Sequence, residues 1–317
     1  MSYHIDEKLV IAISSSALFQ LEEENKIFQK EGLNAYRKYQ REHEFDILKP
    51  GIAFPFIRRF LQINNIFPDK KPVEVVLLSH NDSDTGNRIL RCIDHYKLDI
   101  ERSAFLTNDS PFNYIHAYNV ELFLSTNEND VFEAMQHGCA AGHVLKSNSF
   151  DDEDDNELRI AFDFDGVLAD DSSEKVFQNL GVKAFVETEK KLSNVPMPTG
   201  PLASLFSKLA TFHQMEDEKI EKEPDYHRFL KTSIVTARSG TAHFRIATTL
   251  RHWNITVDQT FNLGGMDKSR VLQKLRPHIF FDDQCCTHLE TARQYIPSVH
   301  IPFGCGNTLS HKSNTRK

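Results

Sequence analysis

Ile160-Ala161-Phe162-Asp163-Phe164-Asp165-Gly166-Val167 decides how this chain is read. The first three residues belong to an apolar run of the kind found in strands covered on both faces. Two carboxylates one residue apart at the end of such a strand are costly to bury unless a cation sits with them. Gly166 then lets the chain turn sharply away. A carboxylate so placed can attack phosphorus and form an acyl phosphate, which makes Asp163 the candidate nucleophile. Asp165, aimed from a loop, is the candidate proton donor to the leaving oxygen and later the base for water.

Three further elements follow in order. Thr236 and Ala237 close the apolar run Ser233-Ile234-Val235, where they are candidates to hold a phosphate oxygen. Lys268, in Gly264-Gly265-Met266-Asp267-Lys268, brings a positive charge, and the paired glycines let backbone approach a phosphate closely. Asp282 and Asp283 follow the strand end Phe280-Phe281. Two unit charges about 4 Å apart repel by roughly 4 kcal/mol at an effective dielectric of about 20. Converging carboxylates therefore require a cation, and Mg²⁺ suits oxygen ligands together with substrate phosphate. Asp163, Asp165, Asp282 and Asp283 are the candidate Mg²⁺ ligands. Taken singly each motif is weak, since a lone Thr after Val is ordinarily a strand residue and a lone Lys a solvated helix cap. Their shared order and strand-end placement carry the reading.

The rest of the chain places these motifs. Strands are expected at 9–13, 73–78, 104–106, 122–124 and 142–145, and again at 158–162, 232–235, 260–263, 279–281 and 299–301. Amphipathic helical segments separate them, which predicts a parallel, doubly wound α/β sheet with ligands beyond the carboxyl ends of the strands. The two sets read as copies. Ile11-Ala12 matches Ile160-Ala161, Phe28-Gln29 matches Phe177-Gln178 and Gly32 matches Gly181, at a spacing of 149 (160 − 11). From Arg88, which matches Arg245, the spacing is 157 (245 − 88), and it holds at Leu106 and Leu263, Phe123 and Phe280, and His143 and His300. The difference of eight (157 − 149) is expected as a loop extension within 214–225 of the second copy, where added length costs little. The predicted organisation is two tandem Rossmann-like three-layer sandwich domains, 1–150 and 158–310. An exposed acidic linker at 151–157 joins them, and a disordered basic tail covers 311–317. An EF-hand calcium loop is the other reading of 151–157, but the run lacks the central glycine.

Net charge is −8, so no protein-wide basic field invites a nucleic-acid polymer. No run reaches the length of a bilayer span, and the first residues lack the pattern of a signal peptide. Five cysteines with no Cys-x-x-Cys pair read as free thiols of a reducing compartment. The expectation is a cytoplasmic protein without a membrane partner, with a homo-oligomer left open.

The four motifs together resemble the haloacid dehalogenase-like (HAD) phosphatase superfamily. Asp163 and Asp165 match its first motif, Thr236 the second, Lys268 the third and Asp282-Asp283 the fourth. That resemblance implies Mg²⁺ held by the nucleophile, by the backbone carbonyl at Asp165 and by Asp282 or Asp283. It also implies a small cap. The helical stretch within 170–200, with Phe177, Phe185 and Glu187, is the candidate, and an ordinary crossover helix is the plainer reading of 172–180. Four stretches are similar to the cytosolic 5′-nucleotidase class I family: Ile13-Ser14-Ser15-Ser16-Ala17-Leu18-Phe19, Gly51-Ile52-Ala53-Phe54-Pro55-Phe56, Thr236-Ala237-Arg238-Ser239 and Arg276-Pro277-His278-Ile279-Phe280-Phe281-Asp282-Asp283-Gln284. This likeness, which spans nearly the whole chain, implies Mg²⁺-dependent hydrolysis of nucleoside 5′-monophosphates, AMP first, through an aspartyl phosphate. Animal members carry Asp-Gly-Asp-Ala where this chain has Asp163-Phe164-Asp165-Gly166, so base preference does not carry over from them. The alternatives are a phosphatase of another small phosphometabolite and a nucleotide-binding sensor without turnover.

The internal match gives the first copy a different fate. Ser14 and Ser16 stand where Asp163 and Asp165 stand, Ser79 where Thr236 stands, Pro111 where Lys268 stands, and Ser125-Thr126 where Asp282-Asp283 stand. With every acid gone, 1–150 is expected to be a degenerate, catalytically silent HAD-type unit. It either packs as structure or holds part of a ligand through neutral groups such as Ser14, Ser16 and Asn81. Arg238, directly after the Thr236 motif, is a candidate for substrate contact or for a surface salt bridge.

Overall fold

Apolar runs without alternation must be covered on both faces, and each run marked in the sequence becomes a strand. A computed structural model describes residues 4–80, 83–106, 109–149 and 151–304, so Asn81 and the 311–317 tail lie outside the described residues. Ten strands form: β1 Leu9–Ile13, β2 Val73–Ser79, β3 Arg102–Phe105, β4 Val120–Ser125, β5 Ala141–Val144, β6 Leu158–Phe162, β7 Leu230–Thr236, β8 Gln259–Asn262, β9 Ile279–Asp282 and β10 Ser298–His300. They make one sheet in the order β3-β2-β1-β4-β5-β10-β9-β6-β7-β8. Every neighbouring pair is parallel except β5 and β10, which run antiparallel. The mostly parallel α/β sheet agrees with the sequence reading. Fusion of both sets of strands into one sheet is a feature that the sequence pattern does not carry.

Read inward from either edge, the order is the same: β3-β2-β1-β4-β5 from one side and β8-β7-β6-β9-β10 from the other. Strand bounds repeat at the spacings read from the sequence, 149 for β1 and β6 (158 − 9) and 157 for β2 and β7 (230 − 73). At the seam His143 pairs with His300, its own counterpart. Nε2 of His143 contacts the Thr126 carbonyl at 3.2 Å, and Nε2 of His300 contacts the equivalent Asp283 carbonyl at 3.1 Å. A carbonyl only accepts, so each ring donates from Nε2. An approximate two-fold axis thus passes through the seam.

The added length in the second copy lies where expected but is not a loop. Helix Phe54–Ile66 has 13 residues, and its counterpart Ala203–Lys222 has 20. The extension carries Glu216, whose buried carboxylate accepts the Phe229 N–H at 2.6 Å and the Leu230 N–H at 3.2 Å. It therefore satisfies the entry into β7, and growing helix supplies its own backbone hydrogen bonds as a loop does not.

Alternate strand residues feed opposite faces. Leu9, Ile11 and Ile13 join a core that continues under both halves through Phe162, Phe206, Phe281 and Ile301. Val10 and Ala12 face a second core around Phe112, Phe123 and Ala134, while Ala161, Val235 and Phe280 face a third. In the shared core the Phe162 and Phe281 rings stack with centroids 5.3 Å apart, and Phe206 meets Phe162 edge-on at 5.0 Å. Such pairs add about 0.5–1.5 kcal/mol each beyond their burial.

Between the first two strands of each half lies a helix pair. Helices Glu22–Glu31 and Leu33–Glu42 flank Gly32, at φ 81°. Helix Ser172–Lys191 breaks at Gly181, at φ 78°. Both glycines hold a backbone conformation that strains any L side chain.

The acidic run 151–157 is only partly exposed. Asp151 accepts from Arg58 at 2.9 Å and from Arg59 at 2.7 Å. Arg59 is fully buried and also donates to the carbonyls of Asp152 and Asp155, at 2.6 and 3.1 Å. Repulsion among the acids is offset by two arginines of helix Phe54–Ile66, which an inspection of the acidic run alone overlooks.

His278 lies beside this run. Its Nδ1 accepts the Arg159 N–H at 3.0 Å, so that nitrogen carries no proton. The 3.4 Å approach of its Nε2 to Asp155 is therefore a contact of a neutral ring and not of an ion pair. Burial, with Arg59 and Arg159 close by, pulls the His278 pKa down to about 3. In an unfolded chain histidine titrates near about 6.5. The native contribution is thus present above that pH. As pH falls below it, the unfolded state binds a proton that the folded state refuses, and stability drops by about 1.4 kcal/mol per pH unit from this group. Denaturant midpoints measured between pH about 6.5 and about 4 should fall more steeply for the native chain than for His278→Asn. Equal slopes would remove His278 as the cause.

Candidate active site

β6 lies between β9 and β7, where the strand order reverses direction. In such sheets the crevice beyond the carboxyl ends at the reversal is the natural ligand site. Register places Phe162 beside both Phe281 and Ile234, so Asp163, Thr236 and Asp282 emerge at one edge. Lys268, just before helix Ser269–Leu275, reaches in with its Nζ 2.8 Å from Asp163 Oδ2 and 2.7 Å from Asp282 Oδ2. His288 Nδ1 adds a contact to Asp282 Oδ2 at 3.1 Å.

Burial opposes every one of these charges. It works against the fully buried Lys268 ammonium, but Asp163 and Asp282 outweigh it and hold the lysine charged. It works against Asp282 too, where Lys268 and His288 prevail and keep the carboxyl below its usual range. Burial raises the Asp163 carboxyl, with Lys268 pulling against it. Asp163 Oδ1 accepts the Phe164 N–H at 2.7 Å, so both of its oxygens are positioned. Asp283 is pushed up to about 9 by burial, with the carboxylates of Asp163 and Asp282 adding to the effect. Gly166 packs against it at φ 71°, and a β-carbon there would come 2.5 Å from Asp283 Oδ2. Both the backbone and the space therefore demand glycine after Asp165.

Buried carboxyls outnumber Lys268, and Asp283 holds its proton as a result. This donor set, hard oxygens that ionise fully only beside a further cation, fits a divalent ion such as Mg²⁺. Asp163, Asp282 and His288 also offer atoms within 4.8 Å of one another. Lys268 already bridges the two acids of that trio, and imidazole suits softer metals, so Asp163 and Asp283 are the better oxygen pair.

The other expected acid faces elsewhere. Asp165 accepts from Arg238 through both oxygens, Nε and Nη2 each at 2.6 Å, so its carboxylate does not join the other three. Arg238 is buried and also pairs with Glu189, which excludes the surface salt bridge. Glu189 in turn meets Arg245 at 2.8 Å and accepts the Ser173 hydroxyl at 2.8 Å. Burial weakens the Arg238 charge, yet Asp165 and Glu189 outweigh it and raise its pKa. The Thr236 hydroxyl accepts the Arg238 N–H at 3.2 Å. Gly264 and Gly265 donate to the Arg238 and Ala237 carbonyls at 2.9 and 3.0 Å, clasping the turn after β7 to the glycine loop.

A cleft of about 400 Å³ brings Asp163, Asp165, Thr236, Ala237 and Arg238 together with Phe177 and Phe185 of the helix pair. The 172–180 stretch thus supplies Phe177 to the wall of that cleft. Glu187 is exposed, and the buried acid of that helix is Glu189. Ser14 and Ser16 line a separate cleft in the first half. A third hollow of about 280 Å³, at the amino-terminal strand ends by Arg159 and His278, contains none of the acids, Thr236 or Lys268 of the four motifs. Sequence reasoning missed Glu189, Arg245 as its partner, and His288. The repeat held a signal for the first two, since Gln40 and Arg88 stand at their positions and Arg88 donates to Gln40 at 3.3 Å. His288 had none, as it sits on the short π-helix Cys285–Leu289.

A family model described as 5′-nucleotidase matches residues 1–308. Human cytosolic 5′-nucleotidase 1B is 33% identical over 292 residues, covering 90% of this chain and 47% of that protein. The chain thus spans about half the length of this curated relative. No solved structure matches the chain. A match along nearly the entire sequence, with the acid, hydroxyl and lysine motifs gathered at one sheet edge, places the chain in the 5′-nucleotidase family.

Proposed function

We propose that the protein is a phosphoric monoester hydrolase that releases phosphate from nucleoside 5′-monophosphates, AMP first, through an aspartyl phosphate on Asp163. The observation that carries this reading is Asp163, held by Lys268 and the Phe164 N–H at a cleft that also presents Thr236, Ala237 and Arg238. With both oxygens positioned, the nucleophile needs little reorganisation before attack. As the Asp163 O–P bond forms, the bond from phosphorus to the 5′-oxygen breaks. Lys268 and the Thr236 hydroxyl meet the charge spread over the phosphoryl oxygens. Asp165 gives its proton to the 5′-oxygen, then takes one from the water that attacks phosphorus and restores Asp163. Arg238 aims Asp165 by gripping both its oxygens, and the incoming phosphate competes for that guanidinium, which lets Asp165 take up the proton it donates. Mg²⁺ held by Asp163 and Asp283, with Asp282 behind them, would neutralise phosphate charge so that an anionic nucleophile can approach.

The same reading assigns tandem HAD-type domains at 1–150 and 158–310, supported by the repeated strand order, with the first silent because Ser14, Ser16, Pro111 and Ser125 replace its acids and lysine. Helix Ser172–Lys191 acts as the cap, with Phe177 and Phe185 as an apolar wall for the base. A cytosolic setting follows the name of the human relative. Among the described residues, no helix is long and apolar enough to cross a membrane.

Asp163→Asn should lower phosphate release from AMP by about a thousandfold or more while leaving the fold intact by circular dichroism. Chelation should abolish native turnover and added Mg²⁺ restore it. Faster release from sugar phosphates than from any nucleotide would overturn the substrate assignment. Arg238→Lys keeps the charge but loses the two-oxygen grip on Asp165. Its kcat should fall about 10- to 100-fold with a smaller change in KM. A change confined to KM would make Arg238 a substrate ligand alone.

A further inference from the structure

We propose that the first half binds an uncharged nucleoside in a cleft that mirrors the catalytic one. The proposal rests on the nucleotidase reading in one respect, that such a nucleoside is the product class of that reaction.

The cleft lies beyond the carboxyl ends of β1, β2 and β4 and encloses about 440 Å³, against about 400 Å³ at the catalytic edge. Comparison position by position separates what was kept from what was lost. The wall supplied by the helix pair is kept: Phe28 stands for Phe177, Leu33 for Val182 and Tyr36 for Phe185, and each lines its own cleft. Even the ring geometry repeats. Phe28 and Tyr36 meet edge-on with centroids 5.8 Å apart, and Phe177 and Phe185 do so at 6.3 Å. A side-chain amide is kept as well, Asn127 for Gln284. Phe28 and Leu33 remain 49% and 39% exposed, a cost in water that a planar apolar ligand would relieve.

The phosphate floor is what was lost. Ser14 and Ser16 replace Asp163 and Asp165, and their hydroxyls lie 3.1 Å apart. The Thr126 hydroxyl, in place of Asp283, donates to Ser16 at 2.6 Å, and Ser15 meets Ser79 at 3.3 Å. Among the described residues that line the cleft there is no lysine or arginine. Its one carboxyl, Asp130, accepts the Ser125 hydroxyl at 3.0 Å and has His80 3.6 Å away. A phosphate dianion entering this cleft would meet no countercharge beyond that imidazole and would face a carboxyl. A purine and ribose would meet aromatic edges, an amide and hydroxyls able to both donate and accept. A site that keeps the nucleoside-facing wall and loses the phosphate floor selects nucleoside over nucleotide.

Two rim substitutions separate the clefts in the full chain. Val182→Trp narrows the catalytic cleft, and Leu33→Trp narrows its counterpart. With adenosine as the probe in equilibrium dialysis, Val182→Trp protein should lose phosphate release from AMP but still bind one adenosine per chain. Leu33→Trp should release phosphate at the native rate when no nucleoside is added, and should lack the site that Val182→Trp retains. On Val182→Trp protein, AMP and inorganic phosphate should compete at least about tenfold more weakly than adenosine itself. No adenosine on Val182→Trp, binding there that survives Leu33→Trp in the double variant, or AMP bound as tightly as adenosine would each overturn the proposal. Adenosine bound at this cleft by a protein that hydrolyses no nucleotide would defeat the hydrolase reading while sustaining this one.

Discussion

One ammonium group organises the second half of this molecule. Lys268 Nζ sits between Asp163 and Asp282, at 2.8 and 2.7 Å, with no exposure to water. Each charge alone would cost several kcal/mol to bury, and removing any one would strand the others. The arrangement therefore fixes three elements together: the end of β6, the end of β9 and the entry to helix Ser269–Leu275. It also bears on the chemistry proposed for Asp163. A nucleophilic carboxylate must remain ionised inside a protein, and a neighbouring cation is the direct means. What Lys268 cannot offset shows up at Asp283, whose proton is held to about pH 9.

A second charged chain ties the cleft-lining helix pair to the strand ends beside that centre. Arg238 grips Asp165, Glu189 grips Arg238 and Arg245, and Ser173 closes on Glu189. Glu189 and Ser173 belong to the helix pair that walls the cleft, whereas Arg238 follows β7. The helices that wall the cleft are thus attached through a buried ion cluster and not only through apolar contact. Buried polar clusters stabilise little against apolar packing, but they tolerate few alternative arrangements, which suits a wall that must stay in register with the acids.

How much of this was legible in the sequence depends on the range of the signal. All ten strands were legible because parallel strands buried on both faces need uninterrupted apolar runs. The meeting of Asp163, Thr236, Lys268 and the Asp282-Asp283 pair at one sheet edge was legible because strand ends confine such side chains to a few positions. The sequence read Asp165 as one of the converging acids, and no local pattern reveals that Arg238, 73 residues away, grips its carboxylate through both oxygens. The acidic run at 151–157 looked solvated because its partner, Arg59, sits 92 residues upstream of Asp151. The extra residues of the second copy looked like a loop because loop length is cheap, yet Glu216 gave them a reason to stay helical. Local pattern predicts elements, and long-range charge pairing decides what their side chains face.

The two-fold seam explains why the first half, with Ser14, Ser16, Ser125 and Thr126 where the second has acids, cannot be spared. β5 and β10 are short strands, and apart from each other both would be open sheet edges. One of the three cores runs under both halves, so Leu9 and Ile11 share it with Phe281 and Ile301. Removing the first half would open that core and the edge at once, whatever its own cleft binds. Selection on folding alone therefore preserves β1 to β5 and their packing. It does not preserve the half-exposed Phe28 ring over the first cleft, which contributes little to the core, and so Phe28 carries more information about function than a buried residue of that half.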